Sequence, residues 1–483
     1  MYFKLIIYFL SAMLLSEAVA QKNSAYITRD AALKDLHIIR KSTEEVHAGL
    51  NRFNQQNTFT ATYDSVKSVI ETYDSLSPIQ FFRVINPLFT KIKCGHVKFL
   101  PPMQDFPFYY HTEQVLPIVV RFDDSDRLLI VASDRRELTG KFITHINGTG
   151  IPEILQTLRR NMFVDGDITA SADAQIQQYF SAWYADFIQD KSDFLLTLTN
   201  ASNHSEAIRV NGISSKEWIA LDKSFTKTAP QNELRFEKDS IAILRIAHFY
   251  ASSSKAFDAF LKKSFSEINQ RKTSRLIIDL RGNEGGTDML GKELYTYIAK
   301  GEFQYYDHIE VKIRSKKDVT YRDLAYFPKF SGLAGLFIKK KDGKLVWNKH
   351  QNLGTHQPAR KAYQGEVYFL SDGLSYSVTS EFLAVAKSQS RGVFVGSESG
   401  GAYSGNNSGA FLIFKLPASR FDIGLPVATY YSAVQPPKQP ARGIIPDFPV
   451  KPSAADLLAG RDAVLEFAFS QPRPVSVPDS ARR

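Results

Sequence analysis

Three short stretches of this chain combine glycines, serines and acids in an order that suits acyl-transfer chemistry. In the first, Leu276-Ile277-Ile278-Asp279-Leu280 is an apolar run of the kind found in a strand buried on both faces of a parallel sheet. It is followed by Arg281-Gly282-Asn283-Glu284-Gly285-Gly286, whose glycines let the backbone turn sharply and leave N–H groups exposed. Thr287 then stands where a helix cap belongs, and free N–H groups at a helix start make an anion or oxyanion site. In the second, the strand-like Glu366-Val367-Tyr368-Phe369-Leu370 and the turn Ser371-Asp372-Gly373-Leu374 precede Ser375-Tyr376-Ser377-Val378-Thr379-Ser380-Glu381. A serine at such a junction sits at a helix N-terminus, where an alkoxide and its neighbouring oxyanion are stabilised. The third stretch is Val393-Phe394-Val395-Gly396 with a second glycine loop, Ser397-Glu398-Ser399-Gly400-Gly401-Ala402. Each has a plainer reading: a βα turn for the first, an N-cap hydroxyl for any of the serines. The G-x-S-x-G elbow of α/β hydrolases does not occur.

Taken in order with Arg442-Gly443-Ile444-Ile445-Pro446-Asp447, these stretches resemble the tail-specific, or C-terminal processing, serine proteases. That resemblance implies a ClpP/crotonase-like catalytic fold. Counting back from Gly396 by the family's spacing gives Ser377 as nucleophile, although the interval to Glu381 is one residue longer than the family's. The family's usual lysine base has no counterpart: its place is Ala402, and no lysine lies between Lys387 and Lys415. Cys94-Gly95-His96-Val97 is similar to the D-G-H-T stretch of the tricorn-like branch, in which a histidine from an upstream domain is the general base. Imidazole suits that work because it titrates near neutrality, so activity is expected to rise through an apparent pKa shifted from about 6.5 by the surroundings. His248, at a probable strand end, is the reserve base. Cys94 is a poor nucleophile, with no helix N-terminus to lower its pKa. The glutamate that the branch carries before R-G-x-x-P-D is absent, leaving Glu398 as the third catalytic residue or a backbone carbonyl in its stead. The N–H groups of Gly286 and Val378 are the expected oxyanion donors.

The elements that must position these residues follow from length and composition. With 483 residues, 43% hydrophobic and 12% aromatic, the chain has room for two or three domains with real cores. Its charge of +10 is spread along the sequence, and Lys339-Lys340-Lys341 reads as a solvated loop, so no nucleic-acid partner is expected. Lys4, the apolar residues 5–15 and Ala18-Val19-Ala20 read as a cleaved secretory signal over 1–20, too short to span a bilayer. No later stretch is long and apolar enough for an integral membrane segment. A single cysteine excludes an intramolecular disulfide, and with the leader it points to a bacterial periplasm. Helical spacing over 28–105 predicts an N-terminal helical domain, ending in a strand-like alternation at 92–99. Short strands over 106–215 predict a β-rich domain, whose Gly140–Thr149 stretch resembles a PDZ-like peptide-binding module or else a generic hairpin. The catalytic domain takes 230–475, with an aperiodic insertion at about 302–362. The fold class is thus α/β and α+β, multidomain.

Gly286-Thr287-Asp288-Met289-Leu290-Gly291-Lys292-Glu293 nearly spells a phosphate-binding loop, but Glu293 stands where Mg²⁺ needs a hydroxyl. The histidines are scattered without zinc spacing, so neither metal nor cofactor is expected. The expectation is an exported serine-type peptidase acting on peptides or protein C-termini. The alternative is a non-catalytic peptide-binding protein with a decayed site.

Overall fold

The computed structural model describes residues 26–102, 114–189, 191–200, 202–226, 231–237, 241–327 and 335–471. The leader read at 1–20 lies outside them, as does 106–113 of the β-rich segment. Helices α1 (Arg29–Val46), α2 (Thr58–Glu71) and α3 (Pro78–Thr90) form the first layer. Ser77 and Gln80 close a capping box at the start of α3, and proline takes its first position, where no intrahelical N–H is needed. The apolar face of α3 buries Phe81, Phe82 and Phe89 against Phe99 and Phe421, with the Phe99 and Phe421 rings 4.7 Å apart.

The alternation at 92–99 becomes a strand only at β1 (Lys98–Leu100). Residues 94–97 form a turn instead: Lys93 adopts φ 58° and Val97 N–H donates to the Cys94 carbonyl at 3.3 Å. The cause is tertiary, since the Gly95 N–H is claimed by the Asp165 carboxylate at 2.9 Å rather than by a neighbouring strand.

Strands β2 (Ile118–Phe122), β3 (Leu128–Ser133) and β4 (Phe142–Ile146), helices α4 (Ile151–Asn161) and α5 (Thr169–Gln178), and strands β5 (Asp193–Thr199) and β6 (Ser205–Asn211) follow. The strands form an antiparallel sheet in the order β2-β3-β4-β5-β6. Asn147 and Gly148 both have positive φ, 50° and 82°, as a two-residue hairpin turn requires.

The catalytic region is built on a six-stranded sheet. Strands β7 (Glu233–Glu237) and β8 (Ile241–Arg245) lead through helix α6 (Ser254–Gln270) to β9 (Arg275–Asp279), which feeds helix α7 (Asp288–Thr296). Strand β10 (Tyr306–Val311) departs to another sheet; β11 (Glu366–Ser371), helix α8 (Val378–Ser388) and β12 (Val393–Gly396) return. Strands β13 (Asn407–Lys415) and β14 (Asp422–Ser432) precede β15 (Phe448–Pro449) and helix α9 (Ala463–Ser470). The order is β7-β8-β9-β11-β12-β15, parallel except for β7. Alternate residues of β9 enter different cores: Leu276 and Ile278 face helices α6 to α8, while Ile277 meets Val464, Leu465 and Ala468 of α9. Two buried faces explain the unbroken apolar runs. Asp279, the one acid in β9, is held by Arg245 at 2.7 Å and Arg281 at 2.8 Å.

Strand β14 pairs with β13 and β10 in a second, seven-stranded sheet, and β1 pairs with the first residues of β14, outside the main strand order, through Leu100↔Asp422, Phe99↔Ile423 and Lys98↔Gly424. The insertion therefore holds regular structure. Its lysine run, expected as a loop, is the exposed edge strand Ile338–Lys341, where three ammonium groups discourage pairing with another chain.

Candidate active site

The parallel strands deliver the three chemically suggestive stretches to one end of the sheet, the carboxyl end, where open α/β sheets place ligands. The glycine loop and the serine turn are stitched together by Asn283. Its Oδ1 accepts from Gly285 N–H (2.9 Å), its Nδ2 donates to the Ile246 carbonyl (2.8 Å), and its own carbonyl accepts from Tyr376 N–H (3.0 Å). A Cβ on Gly285, at φ 97°, would lie 2.8 Å from the Ser377 Cβ, so only glycine lets loop and serine approach.

Ser377 occupies the N-cap of α8 with φ 57° and ψ −125°, a conformation a side-chain-bearing residue rarely adopts. Such backbone strain costs about 1–3 kcal/mol and clusters at functional sites. The three nearby serines separate by their bonds. Ser375 Oγ donates to the Leu280 carbonyl (3.0 Å), and Ser380 Oγ donates to the Ser377 carbonyl (2.7 Å). The Ser377 hydroxyl lies 3.1 Å from His96 Nε2.

The far side of the imidazole is also engaged. His96 Nδ1 is 2.8 Å from the Tyr376 hydroxyl, which donates to Asp165 Oδ1 at 3.1 Å. Because Tyr376 spends its proton on Asp165, its oxygen accepts from Nδ1–H, which leaves the Nε2 lone pair facing Ser377. The packing is tight here: a Cβ on Gly95 would come within 2.5 Å of the Tyr376 hydroxyl oxygen.

Burial, aided by the charges of Lys98 and His47, pushes the His96 imidazole down to about 3, although part of the residue keeps contact with solvent. The ring is therefore neutral at pH 7. Burial pushes Asp165 up to about 6, opposed by the Gly95 N–H, Tyr376, Arg52 and the Ala402 N–H. The Tyr376 phenol is raised by burial and by the Asp165 charge, so it remains a donor. Burial also raises the Cys94 thiol to about 12, far from a thiolate nucleophile.

Glu398 is placed elsewhere than expected. Its two oxygens accept from Arg442 at 2.8 and 2.6 Å, and one also accepts from Gly443 N–H at 2.8 Å. It holds the second glycine loop to the R-G-x-x-P-D stretch and does not orient His96. His248 Nδ1 accepts from Tyr250 N–H at 3.3 Å and takes no part in the Ser377 constellation. Gly286, at φ 147°, packs so that a Cβ would meet the Phe249 carbonyl at 2.3 Å. Among the described residues, neither its N–H nor that of Val378 donates a hydrogen bond. Thr287 takes the N-cap of α7 without a side-chain cap bond. Glu381, buried with Tyr306 (2.6 Å) and Asn406 (2.7 Å), is pushed up to about 8 by burial and is structural.

Tyr376 and Asp165 were not anticipated as site residues. The one available signal was Asp165-Gly166-Asp167 before a helix, where Gly166 (φ 57°) passes the Ala441 carbonyl too closely for any side chain.

The sequence profile of Peptidase family S41 matches residues 240–450, the stretch that holds both glycine loops and Ser377. The chain carries a peptidase family S41 domain. It is accordingly a serine-type peptidase, with peptides or proteins as its substrate class. Two solved structures share the fold over nearly the whole chain. Mature CPAF complexed with lactacystin is 14% identical with a TM-score of 0.64, covering 91% of this chain and 97% of that one. Mature CPAF alone is 14% identical with a TM-score of 0.62, covering 91% and 96%. The photosystem II D1 C-terminal processing protease also matches, at 10% identity and a TM-score of 0.41 over 88% and 93%. No curated protein matches the chain. Among the described residues no helix is long and apolar enough to cross a membrane.

Proposed function

We propose that the S41 domain cleaves peptide bonds with Ser377 as nucleophile and His96, from the N-terminal part of the chain, as general base and then acid. The observation that carries this reading is the 3.1 Å approach of His96 Nε2 to the Ser377 hydroxyl, made by a serine held at positive φ on a helix N-terminus. Ser377 Oγ attacks the scissile carbonyl while its proton passes to Nε2. The N–H groups of Gly286 and Val378 receive the oxyanion, and the imidazolium returns its proton to the leaving amine. Tyr376 and Asp165 take the place of the third residue: Asp165 accepts from Tyr376, Tyr376 accepts from Nδ1–H, and the tautomer is fixed. A neutral imidazole is the form that can act as base, which suits a site that disfavours the charged ring in the resting state.

The antiparallel sheet β2–β6, with its hairpin at Asn147-Gly148, is read as the PDZ-like module that presents extended peptide, and α1–α3 as the helical domain that carries the base. Export to a periplasm belongs to the same reading and rests on the sequence of residues 1–20. A fluorophosphonate probe tests the mechanism. Labelling of the wild-type chain that disappears in Ser377→Ala is expected; equal labelling of both sinks the assignment.

A further inference from the structure

Behind the imidazole, away from Ser377, the fold gathers a second set of donors. Cys94, the chain's one cysteine, is a buried free thiol, and Asp165 is fully enclosed. One ligand atom from each of Cys94, His96 and Asp165 lies within 4.8 Å of the other two. The nitrogen on this side is Nδ1, since Nε2 faces Ser377. Asp165 Oδ1 accepts from Gly95 and Tyr376; the Ala402 N–H is near enough to favour the charged carboxylate but makes no hydrogen bond of good geometry, so the buried Oδ2 is without a hydrogen-bond partner among the described residues. An enclosed carboxylate oxygen without a donor is costly and asks for an explanation. Thiolate, imidazole and carboxylate together form a donor set for zinc, and the sulfur selects against Mg²⁺ and Ca²⁺.

We infer that Cys94, His96 and Asp165 form a binding site for a thiophilic divalent cation, Zn²⁺, and that its reversible occupation switches the peptidase off. The consequence for turnover rests on the mechanism proposed above; the binding does not. Zinc holds such donors at about 2.0–2.3 Å. The three side chains must therefore draw together by roughly 1 Å while the Tyr376 hydroxyl gives up Nδ1, and a water completes the tetrahedron. Cys94 releases its thiol proton to solvent. The metal takes the Nδ1 lone pair, so the ring's single proton now resides on Nε2. An Nε2–H cannot accept the Ser377 proton, and the base is lost without any movement of the nucleophile.

Cobalt(II) titration reads the site directly. In the Ser377→Ala chain one equivalent of Co²⁺ should produce a thiolate-to-cobalt charge-transfer band. The band should vanish in Ser377→Ala/Cys94→Ser and need about tenfold more metal in Ser377→Ala/Asp165→Asn. In turnover assays Zn²⁺ should abolish wild-type cleavage and EDTA restore it, while Cys94→Ser cleaves at the wild-type rate and resists a tenfold higher Zn²⁺ concentration than wild type does. Absence of the band, or Zn²⁺ inhibition unchanged in Cys94→Ser, overturns the inference. The band together with a wild-type chain that cleaves nothing supports the metal site and removes the peptidase reading. Turnover without a band removes the metal site alone.

Discussion

Replacing Tyr376 by phenylalanine deletes one oxygen and tests the relay behind His96. The hydroxyl accepts from His96 Nδ1–H at 2.8 Å and donates to Asp165 Oδ1 at 3.1 Å. In the resting state the ring is neutral, so the lost bond to it weighs about 0.5–1.5 kcal/mol. In the transition state the ring carries the Ser377 proton, and the same bond becomes charge-assisted, worth about 1.5–3 kcal/mol. Only the difference between the two states, about 1–1.5 kcal/mol, slows the chemical step; at about 1.36 kcal/mol per decade, kcat is expected to fall about 5- to 13-fold, with KM moving far less because the oxygen faces away from the scissile bond. Asp165→Asn disturbs the other end of the relay. If the two act as one unit, the double variant should be little worse than either single one, a coupling visible in a mutant cycle. The assay is steady-state cleavage of a chromogenic peptide, with circular dichroism to confirm the fold. A Tyr376→Phe chain that keeps wild-type kcat while Ser377→Ala is dead would refute the relay.

Ser377→Ala should abolish cleavage, whereas Ser375→Ala and Ser380→Ala should retain most of it and lose at most about 0.5–2 kcal/mol in denaturant titrations; a dead Ser380→Ala would assign the nucleophile to the wrong serine. Gly285→Ala places a Cβ 2.8 Å from that of Ser377 at a φ of 97°, so turnover should drop by about 100-fold or more with about 1–3 kcal/mol of stability; full activity would show that the loop is not held against the serine. His47 is fully buried, both ring nitrogens lack hydrogen-bond partners among the described residues, and burial followed by the Lys312 charge pushes it down to about 3. Below about pH 6.5 the unfolded chain binds a proton that the folded chain refuses, so stability is whole above that pH and lost as pH falls toward 3. Between pH 6.5 and 4.5 wild type should lose about 2–3 kcal/mol more than His47→Leu by urea titration; parallel losses would sink the argument.

What could be read from the sequence was what local composition controls. Residues 276–280, 366–370 and 393–396 stand out because strands buried on both faces leave no polar alternation. The insertion hid its structure for a related reason: β10 shifts register between Tyr306 and His308, and the bulge breaks the period of two by which a half-buried strand is recognised. The turn at His96 was obscured by residues alternating like a strand, and the competitor for the Gly95 N–H lies 70 residues away. Asp165 is 211 residues from Tyr376, and only the Asp165-Gly166-Asp167 turn hints locally at the meeting. Glu398 follows the serine in a glycine loop, as a third catalytic residue could, but it lies there to hold Arg442 and Gly443, a role equally silent in its neighbours.

The pairing of β1 with β14 has a consequence for how the protein is made. His96 sits 281 positions before Ser377, in a turn anchored by a three-residue strand paired with β14, in a sheet completed late in the chain. During synthesis His96 leaves the ribosome long before Ser377 exists, and β14 is made later still. On the proposed mechanism no partly made chain can cut, because the two reacting atoms come within 3.1 Å only after the first and last layers have closed on each other. Cleavage competence is thus a report that folding has finished, and the chain is spared its own activity while it is most exposed to it.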